Sequence, residues 1–119
     1  MAAAPKERCH WWPFVGLVAV VSTACGPTRE QRLIAYSDAR TVVDRRCVEC
    51  HSAHPTSRAF PIAPQGVMLD TALQMKQYAG RIEASVATEH TMPLANLSGM
   101  TDEERAVLHR WVQTGAGVP

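Results

Sequence analysis

The sequence predicts an all-α domain of three main helices, and three observations carry that expectation. The capping-box pattern, a threonine followed three residues later by Gln or Glu, occurs at Thr28-x-x-Gln31, Thr71-x-x-Gln74 and Thr101-x-x-Glu104. Behind each threonine, apolar residues recur at three- and four-residue steps, the period of one helix face. No stretch alternates apolar and polar residues as a half-buried strand would, and no internal repeat is visible.

Taken in order, the first helix begins after Thr28 and places Leu33, Tyr36, Ala39, Val43, Cys47 and Cys50 on one face. It is expected to end on the cysteine pair. Pro55, Pro61, Pro64 and Gly66 then break regular structure. The second helix, after Thr71, carries the stripe Met75, Ala79, Ile82 and Val86, with Gly80 as a point of close approach. "HTMPLANLSGM" reads as a loop, because Pro93 ends any helix near Met92. The third helix buries Val107, Leu108, Trp111 and Val112, and Gly115 and Gly117 suit its exit.

The 119 residues allow one small domain, and aromatics are only 6% of them. A core so poor in bulky side chains is marginal unless something else helps to fill and staple it, so a cofactor is expected. The domain is assigned to residues 26–119, with its core at about 28–115, behind a leader at 1–25.

In that leader Lys6, Arg8 and His10 precede an uncharged apolar run from Trp11 to Ala24. A membrane span needs roughly 20 apolar residues, so the run reads first as a secretory signal. It ends in "VSTACG", which resembles the lipobox of bacterial lipoproteins, with Ser22 standing where Leu or Val is usual. Three readings fit: lipidation at Cys25, an uncleaved N-terminal anchor, or free secretion. All three put the domain outside the cytoplasm, and the first two hold it at the periplasmic side of a bacterial membrane.

Beyond Cys25 there are ten basic and ten acidic residues, so the body is formally neutral. It has no block of like charge and no basic stripe, which argues against a nucleic-acid partner. Of the four cysteines, Cys9 and Cys25 belong to the leader, leaving Cys47 and Cys50. A disulfide between residues so close in sequence would stabilise little.

The stretch around them, "RRCVECHSAH", contains C-x-x-C-H, the attachment signature of haem c. Two thiols separated by two residues reach neighbouring vinyl groups of one planar ring, and His51 follows as the proximal iron ligand. Zinc needs about four ligands, and no second cysteine pair exists here. A thioredoxin-like pair needs a β-α-β context, which the pattern lacks.

The expected distal iron ligand is Met92, in a loop stiffened by Pro93 and forty residues after His51 pass round the group. Met68, Met75 and Met100 are the other methionines in the body, and Met75 reads as core. His90 is the rival, since a second histidine would also complete the iron. His54 is too near His51 to reach the opposite side, and His109 reads as a surface residue.

These features together resemble class I c-type cytochromes: an amphipathic helix ending at CVECH, a Pro-rich loop, a helix, a Met-Pro loop and a last helix with an aromatic residue. The resemblance covers roughly Thr28 to Gly115 and implies a small fold of three main helices around one covalently bound haem. It implies that the first and last helices cross near the haem edge, with Trp111 and Tyr36 in the packing there. It also implies that a proline carbonyl takes the other N–H of the proximal histidine, with Pro64 or Pro61 in that role; both prolines equally fit a purely loop-shaping part. The segment "CVECHSAHPT…APQGVMLDT…ATEHTMPLANLSGMTDEERAVLHRWVQTGA" is similar to the C-terminal cytochrome domain of bacterial membrane-bound urate hydroxylases. The expectation is that this chain carries the haem module without their multi-helix domain, so no urate-oxidising site comes with it.

The functional expectation is an exported mono-haem electron carrier that exchanges single electrons with a redox protein, free or membrane-bound, such as an oxidase or dehydrogenase. It is expected to be no enzyme by itself. The alternatives are a haem enzyme or gas sensor with a labile sixth ligand, and an assembly protein in which haem is only a staple. With a neutral body, partner association should depend little on salt.

Overall fold

The computed structural model describes residues 26–119. Residues 1–25, on which the expected leader and the lipidation reading of Cys25 fall, lie outside the described residues. Within them the chain is mostly helical with no strand, and no helix is long and apolar enough to cross a membrane.

Helix α1 spans Arg29–Arg46. Thr28 starts it: its Oγ1 accepts from Gln31 N at 3.1 Å, and Gln31 Oε1 accepts from Thr28 N at 2.7 Å. The same reciprocal bonds open α2 (Ala72–Gln77) at Thr71 and α4 (Asp102–Gln113) at Thr101. Each box satisfies amides that the first helical turn leaves without partners.

The second expected helix is interrupted. α2 stops at Tyr78 (φ −98°, ψ 9°), a short α3 follows at Ala79–Ile82, and a π-helical turn occupies Glu83–Thr88. The stripe survives the breaks, because Met75, Ala79, Ile82 and Val86 are all buried. Gly80 is no point of close approach; a side chain there would meet nothing within 4 Å. Short 3-10 turns at Pro64–Gly66 and Leu94–Asn96 lie in the two loops, and the Met92–Pro93 peptide is cis.

α1 packs against α4, with Ala39, Val42 and Val43 meeting Leu108 and Trp111 in one buried cluster. Val43, Leu108 and Trp111 are fully buried, and burial of an aliphatic side chain of this kind contributes about 1.5–3 kcal/mol. Leu33, expected on that face, is exposed, so the packing begins within the next turn of α1, at Ala35 and Tyr36. α4 leaves through Gly115, whose φ of +95° suits a residue without a Cβ.

Candidate functional site

α1 ends one residue before the first cysteine. Cys47 caps the helix by donating its N–H to Val43 O, and both Cys50 N (3.1 Å) and His51 N (2.8 Å) then bond to Cys47 O. Cys50 therefore lies in a turn beyond the helix, where the periodicity had continued the helix face. That turn reverses the chain tightly enough to put Cys47, Cys50 and His51 on the wall of a single cleft.

The cleft encloses about 1000 Å³, its open mouth included. Val67, Leu69, Ile82, Val86 and Met92 supply apolar wall, while Phe60, Pro64 and Leu94 come from the two loops. Its only charged lining side chains are Arg46 and Arg81, and no carboxylate faces it among the described residues. Arg81 is held at the wall by donating to Gln65 Oε1 at 2.6 Å and by lying over the Tyr78 ring, 5.9 Å from its centre.

Met92 lines this cleft, whereas Met68, Met75 and Met100 do not. Met75 is fully buried and its sulfur accepts from Arg40 Nη1 at 3.3 Å, which makes it core. His90 borders a separate shallow hollow with Glu83 and His109. His54 is exposed, and His109 Nδ1 lies 2.6 Å from Glu83 Oε1.

His51 Nδ1 lies 3.0 Å from Val67 O. As the ring's donor to that carbonyl, Nδ1 is occupied and Nε2 is the nitrogen left for a metal. The carbonyl is thus not that of Pro64 or Pro61. Pro64 O already accepts from Val67 N at 3.1 Å, closing the 3-10 turn that carries Val67 into position. Pro64 contributes its ring to the cleft wall, and Pro61 is exposed outside it.

The strip from Val67 to Leu69 is fastened on both sides. Leu69 N donates to His51 O at 2.9 Å, and Leu69 O accepts from Arg40 Nη1 at 2.7 Å. Arg40 also pairs with Asp44, one turn along α1, and that bond chiefly raises its pKa above the ordinary arginine value. Trp111 lies in the packing of the first and last helices, as expected, but away from the cleft. It is buried between α1 and α4, its Nε1 donates to Gly117 O at 2.9 Å, and it does not reach the cleft wall. Tyr36 is half-buried against the same core.

Cys47 and Cys50 are not joined to each other. Burial, partly offset by Arg40, pushes the Cys47 thiol up to about 12, the reverse of the lowered value a redox thiolate needs. Among the described residues no three His, Cys, Asp or Glu side chains gather as a metal-ion cage, which leaves the pair short of a tetrahedral zinc site.

Besides Val67, Arg46 and Arg81, a supporting residue behind the cleft escaped the sequence reading. Arg105, 7% exposed, reaches from α4 and donates to Val86 O at 2.6 Å and Met92 O at 2.8 Å. Its signal was a charge in phase with the apolar residues Leu108 and Val112. No protein-family model matches the chain, and no curated protein and no solved structure matches it either. The likeness to c-type cytochromes therefore rests on the motif residues.

Proposed function

We propose that the protein is an exported mono-haem c-type cytochrome, carrying single electrons between redox proteins at the periplasmic side of a bacterial membrane. The observation that carries this reading is the sharing of one apolar cleft by Cys47, Cys50, His51 and Met92. That donor set fits a covalent haem: two thiols for the thioethers, an imidazole and a thioether sulfur for the iron. When bound, such a group takes one electron from a reduced partner and yields it to an oxidised one, with no atom transferred.

The chain's own work is binding and tuning. Val67 O fixes the His51 ring and leaves Nε2 as its metal-binding nitrogen. The aliphatic wall keeps water from the centre, and the Met92 sulfur favours the reduced state relative to a histidine in its place. Arg46 and Arg81 are the cationic groups available to acidic substituents of the bound ring.

The test is the absorption spectrum of the protein matured with haem, oxidised and reduced, for wild type and Met92→Ala. His/Met ligation gives a weak far-red band in the ferric wild type that Met92→Ala lacks. Absence of that band from the wild type rejects the ligand pair. Strong carbon monoxide binding by the ferrous wild type would instead support a haem enzyme or gas sensor with a labile sixth position.

A further inference from the structure

Among the described residues, Arg105 is the one charged side chain in the buried set, and it has no carboxylate within salt-bridge distance. A buried cation without a counter-ion is expensive unless its hydrogen bonds are strong. Its Nη1 meets two backbone carbonyls instead, Val86 O at the end of the cleft's helical wall and Met92 O in the opposing loop. The other backbone group of Met92 is also tied: its N–H donates to Ser85 O at 3.0 Å, an oxygen that also accepts from Thr91 Oγ1 at 3.2 Å. Met92 is thus gripped by its carbonyl from α4 and by its amide from the π-helical turn. Only its side chain remains to meet the cleft.

We propose that Arg105 is a positioning residue for Met92, clamping the loop to α4 and the π-helical turn so that the thioether stays at the iron and the sixth position stays closed. This rests on the haem reading above. The clamp acts through the backbone of the ligand residue, so loosening it frees the sulfur without altering any group that touches iron. Arginine suits the task because it stays charged and the two N–H groups of its Nη1 donate to the two carbonyls at once. Lysine keeps the charge but concentrates it at one point.

The test uses the haem-loaded protein as wild type, Arg105→Leu, Arg105→Lys and, as a stability control on α1, Val42→Ala. The readouts are covalent haem per chain, the ferric far-red band, and the rate of carbon monoxide binding to the ferrous form. Arg105→Leu should weaken the band and speed carbon monoxide binding by about tenfold or more, the size a lost charge-assisted hydrogen bond gives. Arg105→Lys should move both readouts the same way by less, and it carries the test if the leucine variant does not fold. Val42→Ala should lower the unfolding midpoint and leave both readouts unchanged. Wild-type values for both readouts in every arginine variant that folds, or equal changes in Val42→Ala, would overturn the clamp. A wild type lacking covalent haem or the band sinks the haem reading and the clamp together, and so is distinguishable from failure of the clamp alone.

Discussion

Arg46 Nε donates to both carboxylate oxygens of Glu104, at 3.1 and 3.0 Å, and so joins the end of α1 to the start of α4. The same carboxylate accepts from Thr101 N at 3.0 Å as half of the α4 capping box. Arg46 also bonds to Ser98 O, which brings the loop after Met92 into the junction. The ion pair stands where the cysteine turn, the Met-Pro loop and the last helix meet.

Removing that carboxylate should therefore cost more than a surface pair would. Glu104→Ala loses the reciprocal cap and the charge-assisted bonds together, about 2–3 kcal/mol in all. Urea unfolding measures it as a lower midpoint at unchanged slope. A change below about 0.5 kcal/mol, the range of ordinary surface substitutions, would mean the junction contributes little.

The junction also sets a sign for acid stability. Burial pulls the Glu104 carboxyl up, but the Thr101 amide and Arg46 outweigh it and hold it below the usual glutamate value. Asp70 is lowered too, chiefly by Ser52 Oγ at 2.6 Å and then by Ala53 N at 2.8 Å. Where the folded value lies below the unfolded one, the unfolded chain takes up protons first as pH falls. The contribution is full above the unfolded carboxylate range, about pH 4, and is lost as pH drops through the folded values. Urea midpoints measured from neutral pH downward should fall in that window. Glu104→Gln should be less stable at neutral pH and show a shallower acid slope; an unchanged slope would count against the assignment.

Trp111 separates packing from hydrogen bonding. Trp111→Phe keeps most of the burial but loses the bond to Gly117 O, about 1 kcal/mol. Trp111→Ala opens a cavity between α1 and α4 and should cost about 3–5 kcal/mol. Because the indole lies off the cleft wall, Trp111→Phe should leave the haem spectrum unchanged. A shifted spectrum would argue that the residue touches the group after all.

For the proposed haem, each cysteine is expected to supply one thioether. Cys47→Ser and Cys50→Ser should each keep one covalent link and change the spectrum of the reduced pyridine adduct accordingly. The double variant should lose its haem on a denaturing gel. Haem retained there by the double variant would overturn covalent attachment through this pair.

Much of the helical framework was legible because its signals are local. A threonine and a Gln or Glu three residues on need only each other, and all three capping boxes formed. The Met75–Val86 stripe was legible for the same reason, although the helix carrying it is broken at Tyr78 and closes as a π-helical turn. Where α1 ended was less so: apolar spacing ran on through Cys50, but the amides of Cys50 and His51 both turned back to Cys47 O.

By itself the sequence determined the helical class, the caps, the CVECH motif and the short list of methionines that could face it. Tertiary structure alone decided which side chains share the cleft, since residues 41 positions apart, His51 and Met92, meet there only through intervening backbone. It replaced the Pro64 carbonyl by that of Val67, which the turn closed by Pro64 O brings to His51 Nδ1. It set the Trp111 packing between α1 and α4 off the cleft wall and brought Arg105 to Met92 O. The physical reason is common to these cases. A backbone carbonyl looks the same at every residue of a sequence, and only the folded chain selects which one a histidine or an arginine reaches.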